Sequence, residues 1–276
     1  MRHLLATALL TLTFAPAVHA GELPRPDHVL VVIEENRGYA QIMDKRNSAS
    51  YIHALAKRGV LFTQSYGVTH PSQSNYLALF SGSTQGVASN VCPLTFDSDN
   101  LATRLTDHGL SFASFAESLP LAGDTSCMSG AYQRKHNPVV NWQGTRLPAG
   151  MNKRFADLPQ DFSRLPTVAF VIPDQNNDMH DGSFEAADEW LKTRIAPYVD
   201  WAMQHNSLLI LTWDEDGFKE GNRVVTILVG PMVTPGSSAQ RIDHYNVLRT
   251  LLDLYGLPAL GASRDAEAIW GIWKKR

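Results

Sequence analysis

The chain has 276 residues, of which 44% are hydrophobic and 18% charged, and its formal net charge is -3. That composition excludes a disordered or fibrous chain, and the near-balanced charge offers no basic face for a polyanion, so nucleic-acid binding is not expected. With no internal repeat or low-complexity linker, the length suits one domain with a sizeable core.

Arg2 precedes an apolar run from Leu4 to Phe14 broken only by threonines, and Ala17-Val18-His19-Ala20 lead to Gly21. A positive start, a short apolar stretch and small residues at a cut form the pattern of a cleaved secretory leader over residues 1–20. The mature domain then spans residues 21–276, and its expected location is periplasmic or secreted. The run is too short for a bilayer core of about 30 Å, and no later segment has the length of a membrane helix, so no stable membrane insertion is expected.

Val29 to Ile33, after His28, form an unbroken apolar run that stops at Glu34-Glu35-Asn36-Arg37. Such a run predicts a strand buried on both faces, with a polar segment at its carboxyl end. The same design recurs at Thr167–Ile172 before Pro173-Asp174 and at Leu208–Trp213 before Asp214-Glu215-Asp216-Gly217. Val224–Val229 is a further strand and Leu110–Phe115 a weaker one. Helical spacing covers Ala49–Lys57, Asn100–Asp107, Ala186–Gln204 and Tyr245–Tyr255. Alternating strands and amphipathic helices predict an α/β fold, a mostly parallel central sheet flanked by helices on both faces. Ligands of such sheets gather beyond the carboxyl ends of strands, where this chain places its acids.

The polar turn Thr69-His70-Pro71 runs into Ser72-Gln73-Ser74-Asn75-Tyr76-Leu77-Ala78-Leu79-Phe80-Ser81 and then Gly82. This predicts a helix opening at Ser72 and stopped by Gly82. Ser72 is either a simple helix cap or a nucleophile beside free N–H groups and the positive end of a helix dipole, a natural seat for phosphate or sulfate. The two cysteines, Cys92 and Cys127, sit in Gly/Ser/Pro-rich surroundings, and their spacing fits neither a zinc knuckle nor a redox pair. In an exported protein they are expected to pair as a loop staple.

Glu35 and Asn36 follow the first strand, and Asp214 and Glu215 follow a later one. Carboxylates clustered in one cleft repel each other without a cation, and these are hard oxygen ligands, so a divalent metal is the economical expectation. Asp174, Asp178 and His180 share one loop, and His244 opens the last strong helix, where it serves as a capping residue or a ligand. Zinc, manganese, iron and calcium all suit mixed oxygen and histidine donors. Metal coordination would lower the pKa of the Ser72 hydroxyl so that it attacks as the alkoxide. A Ser-His-Asp hydrolase is the rival enzyme, but Ser72 lies outside any Gly-x-Ser-x-Gly elbow and the surplus acids would serve no purpose in it.

Together, His28 through Arg37, Pro71-Ser72-Gln73-Ser74-Asn75-Tyr76 with Ser81-Gly82, Trp213 through Gly217, and Asp243-His244-Tyr245 resemble the phosphoesterase family of bacterial acid phosphatases and phospholipases C, within the alkaline phosphatase-like superfamily. The resemblance spans nearly all of the mature chain. It implies a nucleophile at Ser72, metal ligands at Glu35, Asn36, Asp214 and Glu215, and a second or auxiliary set among Asp174, Asp178, His180 and His244. Tyr132 through Pro138 resembles a family segment near the active site. It implies that Lys135 and His136, with Asn75, meet the phosphate, and that His136 protonates the leaving group. Many relatives carry proline in place of Ser74 and asparagine in place of Asp174; the second difference bears on which metal binds.

The expected activity is hydrolysis of a small phosphomonoester through a phosphoserine intermediate. A phosphodiesterase or phospholipase C on the same scaffold is the alternative, and a non-catalytic phosphate- or metal-binding protein is the reading from another class. Nothing in the sequence sets an oligomeric state.

Overall fold

A computed structural model describes residues 23–275, so the leader expected over residues 1–20 lies outside the described residues. In chain order the elements are β1 (His28–Glu34), α1 (Tyr39–Met43), α2 (Ser50–Arg58), β2 (Val60–Tyr66), α3 (Ser72–Ser81), α4 (Leu101–Asp107) and β3 (Phe112–Ala116). The short β4 (Met128–Ser129), β5 (Tyr132–Gln133) and β6 (Asn152–Arg154) follow, then β7 (Val168–Ile172), α5 (Phe184–Trp190), α6 (Ala196–Ala202) and β8 (Ser207–Trp213). The chain closes with β9 (Arg223–Val229), β10 (Gly236–Ser238), β11 (Ile242–Asp243) and α7 (His244–Leu254).

The main sheet has the order β10-β2-β9-β8-β1-β7-β3-β6, with β11 also beside β2. Only β9 runs against its neighbours; β1 is parallel to both β7 and β8, as its unbroken apolar run predicts. Successive side chains of a strand point to opposite faces, so β1 feeds two cores. Val29, Val31 and Ile33 pack with Leu77, Phe80, Leu248 and Leu251 from α3 and α7. Leu30 and Val32 pack on the other face with Ile52 and Leu55 of α2 and Leu191 and Tyr198 from the helical segment after β7. Helices therefore cover both faces, as expected. No helix among the described residues is long and apolar enough to cross a membrane.

Two elements depart from expectation. The helix predicted over Ala186–Gln204 is interrupted by a π turn at Leu191–Ile195 just before Pro197. Proline has no N–H to offer four residues back and its ring crowds that carbonyl, and the wider turn absorbs the mismatch. β2 escapes the hydrophobic pattern because Thr63, Gln64 and Ser65 interrupt it, and its pairing with β9 shifts register between Phe62 and Ser65.

Candidate active site

The register of the sheet builds the site. β1 and β8 are parallel neighbours with Glu34 opposite Trp213, so the next residues, Glu35 and Asp214, leave the same sheet edge side by side. β2 runs in the same direction as β8, so the loop after it opens at that edge too and delivers Ser72 as the first residue of α3. Gly82 ends α3 with φ 73°, and a Cβ there would stand 2.1 Å from the Leu260 carbonyl oxygen, so glycine is required on both counts. The expected helix therefore runs from its start to its stop as predicted.

Ser72 Oγ lies 3.0 Å from Glu35 Oε2 and 3.0 Å from Glu215 Oε1. A hydroxyl has one proton to donate, so two ionised carboxylates cannot both be satisfied by it. Asn75 holds the preceding turn: its Oδ1 accepts from the N–H groups of Val68 (2.8 Å) and Thr69 (3.0 Å), and its Nδ2 donates to Thr69 O and Glu215 Oε2. The first-turn N–H groups are less free than their position suggests. The Gln73 N–H donates to Asn90 Oδ1 and the Ser74 N–H to the Pro71 carbonyl, so neither is free for an anion.

On the far side of Glu35, His136 Nε2 stands 3.0 Å from Glu35 Oε1 and Nδ1 stands 3.5 Å from Asp178 Oδ2. The His136 ring stacks on Tyr76 at 5.2 Å between centroids. Burial, reinforced by Lys135 and His180, pushes the His136 imidazole well below its usual range, so it is neutral. Glu35, Asp178 and Asp214 go the other way. Burial raises each carboxyl, and charge repulsion adds to it: Asp214 and Asp178 act on Glu35, Glu215 on Asp214, and Asp214 on Asp178. Glu215 is also raised by burial, with His70, Ser72 and Lys135 partly opposing that. Lys135 has no ion-pair partner among the described residues.

The other expected residues take distinct places. Asp214 Oδ1 accepts from the backbone N–H of Asn36, whose φ is 52°, and the Asp214 carbonyl accepts from His244 Nε2 at 2.6 Å. Since a carbonyl only accepts, Nε2 of His244 carries the proton, and His244 steadies the backbone of Asp214. Asp178 Oδ1 accepts from the His180 N–H, while the His180 ring pairs with Asp181 and lies 6.1 Å from the His136 ring. Asp174 is engaged by its own loop and by the loop after β3, accepting from the Asn176 N–H and Asn177 Nδ2 in the first and from Ser118 Oγ (2.6 Å) in the second. The structure thus gathers Glu35, Ser72, His136, Asp178, Asp214 and Glu215, keeps His180 and His244 at the margin, and ties Asp174 back. Cys92 and Cys127 form the expected disulfide, with 5.8 Å between Cα atoms.

Two neighbours are not singled out by the sequence. His70 Nδ1 lies 2.8 Å from Glu215 Oε2 and its Nε2 3.4 Å from Asp216 Oδ1. Their one sequence signal is position: a histidine two residues before the serine, and a third acid in the strand-end run.

Whether a divalent metal fits can be asked of the side chains themselves. Glu35 Oε1, Asp178 Oδ2 and Asp214 Oδ2 are buried and accept no hydrogen bond, an arrangement that buried carboxylates sustain only when protonated or facing a cation. Hard carboxylate oxygens with a neutral imidazole suit such an ion. Among the described residues, no group of three or more His, Cys, Asp or Glu side chains stands at metal-ligand spacing, so the fit lies in donor chemistry and unanswered charge.

A profile of the phosphoesterase family matches residues 44–258. The chain is 44% identical over 257 residues to a phosphatidylinositol-3-phosphatase of Mycobacterium tuberculosis, covering 92% of this chain and 85% of that protein. It is 30% identical over 228 residues to an acid phosphatase of Aspergillus fumigatus, covering 75% of this chain but only about half, 51%, of that protein's length. In fold it is similar to a protein of the alkaline phosphatase superfamily from Vibrio parahaemolyticus, with TM-score 0.57 and 13% identity over 93% of this chain and 75% of that one. A family profile over most of the chain and a relative matched nearly end to end show that the chain belongs to the phosphoesterase family and is a phosphoric ester hydrolase on an alkaline phosphatase-like fold.

Proposed function

We propose that the protein is an exported, divalent-metal-dependent phosphatase that hydrolyses phosphomonoesters through a phosphoserine at Ser72. The observation that carries this is the Ser72 hydroxyl, set on the first residue of a helix and within 3.0 Å of both Glu35 and Glu215. A serine that only capped the helix would turn its oxygen to the backbone N–H groups, whereas this one faces the acids. Its proton passes to a carboxylate already in contact, the Oγ–phosphorus bond forms and the ester oxygen leaves with the alcohol. The departing oxygen takes up that same proton, which Glu35 hands to His136 Nε2 at 3.0 Å and His136 delivers, with Lys135 offsetting charge on the phosphoryl oxygens. Water then attacks phosphorus, releases phosphate and returns the proton to Ser72. Glu35, Asp178, Asp214 and Glu215, with Asn36 and His136 beside them, would hold the metal, which supplies charge neutralisation and a lowered hydroxyl pKa when bound. Asn75 and His70 orient Glu215, and His244 steadies Asp214.

The names of the two relatives, both phosphatases, support monoester substrates. The leader pattern and the Cys92–Cys127 disulfide support export. The test takes the mature protein, removes metal with chelator and assays an aryl phosphate, its bis-aryl diester and a phosphocholine ester with single metals restored. Activity on the monoester that vanishes with chelator, returns with one metal and is absent in Ser72→Ala is expected. Full activity without metal, or in Ser72→Ala, contradicts the mechanism, and preference for either of the other esters contradicts the substrate class.

A further inference from the structure

The loop after β8 presents an aromatic ring that the core does not use. Phe218 is 75% exposed, more than the other exposed large hydrophobic side chains among the described residues, which include Met128 at 65% and Trp270 at 59%. Its backbone φ is 61°, a conformation that bulky residues seldom adopt.

The loop is nonetheless firmly held. The Asp216 carboxylate accepts from the N–H groups of Phe218 (2.8 Å), Lys219, Glu220 and Asn222. Glu220 Oε2 accepts from the Ala40 N–H at the start of α1, and Asn222 Nδ2 donates to the Thr69 carbonyl beside His70. A ring fixed this way meets a ligand without first having to be ordered.

One face of the ring lies on His70, with 3.8 Å between centroids and 21° between planes. His70 in turn contacts Glu215 Oε2, and the other Glu215 oxygen contacts Ser72 Oγ. Phe218 therefore stands at the mouth of the site with its outer face turned to solvent.

We infer that the outer face of Phe218 is a platform for the alcohol part of the substrate, and that the enzyme favours phosphomonoesters whose leaving group carries a flat aromatic ring over esters of short polyols. The inference deepens the Ser72-centred proposal and rests on it. Offset stacking on a rigid ring shifts affinity by about three- to ten-fold, and here the gain would fall on KM because the ring touches the leaving group and not the phosphoryl centre. A ring that served only to seat His70 would instead affect every substrate alike, through Glu215.

The experiment compares wild type, Phe218→Ala and Phe218→Tyr as metal-supplemented mature proteins, with thermal melting to verify folding. Turnover of phenyl phosphate and glycerol 2-phosphate is measured, and calorimetry gives the affinities for phenylphosphonate and methylphosphonate. Phe218→Ala should raise KM for phenyl phosphate and weaken phenylphosphonate by about three- to ten-fold, leave glycerol 2-phosphate and methylphosphonate nearly unchanged, and be rescued by Phe218→Tyr. Equal losses on both esters, or an unchanged preference for the phenyl ligands in Phe218→Ala, overturns the platform. Wild type that turns over neither ester contradicts the proposed activity instead. The calorimetric arm then decides the platform alone: equal affinity of wild type and Phe218→Ala for phenylphosphonate overturns it, and a loss in the variant supports it.

Discussion

Replacing Glu35 with glutamine should make the metal-free protein more stable while abolishing catalysis. Glu35 is fully buried, its Oε1 accepts no hydrogen bond, and its Oε2 shares the single Ser72 proton with Glu215. Burial and the nearby Asp214 and Asp178 raise its folded pKa well above the unfolded value of about 4.3. The sign follows from proton linkage. Between the unfolded and folded pKa the native state holds more protons than the unfolded chain, so wild type is favoured at low pH and loses stability as pH rises. A neutral amide removes that loss. Removing the charge of one unanswered buried carboxylate is worth roughly 1–3 kcal/mol. At about 2–4 °C per kcal/mol for a chain of this size, that is a rise of roughly 2–12 °C in Tm. Thermal unfolding in excess chelator at pH 5 and pH 8.5, with metal-restored activity measured alongside, tests this. The gap between Glu35→Gln and wild type should widen at the higher pH. A variant that melts below wild type at both pH values, a gap that narrows as pH rises, or a metal-restored variant with full activity refutes the reasoning.

His70→Ala should leave the fold intact but reduce kcat or metal affinity by about 10–100-fold, because His70 orients Glu215; activity titrated against added metal reads both. Cys92→Ser with Cys127→Ser reopens a loop of 35 residues and should cost about 3–4 kcal/mol in chemical denaturation. Gly82→Ala combines a left-handed φ with a Cβ 2.1 Å from the Leu260 carbonyl, so a loss of at least ~1–3 kcal/mol is expected by the same assay; an unchanged midpoint would show that the turn after α3 relaxes freely.

The central strands are legible in the sequence because parallel neighbours bury both their faces, which leaves unbroken runs such as Val29–Ile33 and Leu208–Leu211. Where a strand lies toward the sheet edge the signal fades. β2 alternates with Thr63, Gln64 and Ser65, and β10 and β11 are three and two residues long, shaped by pairing with β2 and not by their own pattern. The strand-end acids are legible for a related reason, since a polar cluster directly after a buried run has few structural uses, and the helix at Ser72 is legible from its polar turn and the Gly82 stop. His70 is not, because its meaning depends on Glu215, 145 residues away in the chain. Asp174 shows the opposite limit. An acid after a strand reads alike whether it faces a site or ties neighbouring loops together, and only the contacts with Ser118, Asn176 and Asn177 reveal the second.

The claim on which the account stands is that Ser72 becomes phosphorylated during turnover. Acid quenching of the metal-supplemented enzyme after mixing with a phosphate ester labelled at phosphorus, followed by peptide mapping, measures it directly. Phosphoserine survives acid, so the label should be recovered on the peptide carrying Ser72 and be lost in Ser72→Ala. An active enzyme that yields no labelled peptide under rapid quench, or one labelled at another residue, would contradict the account.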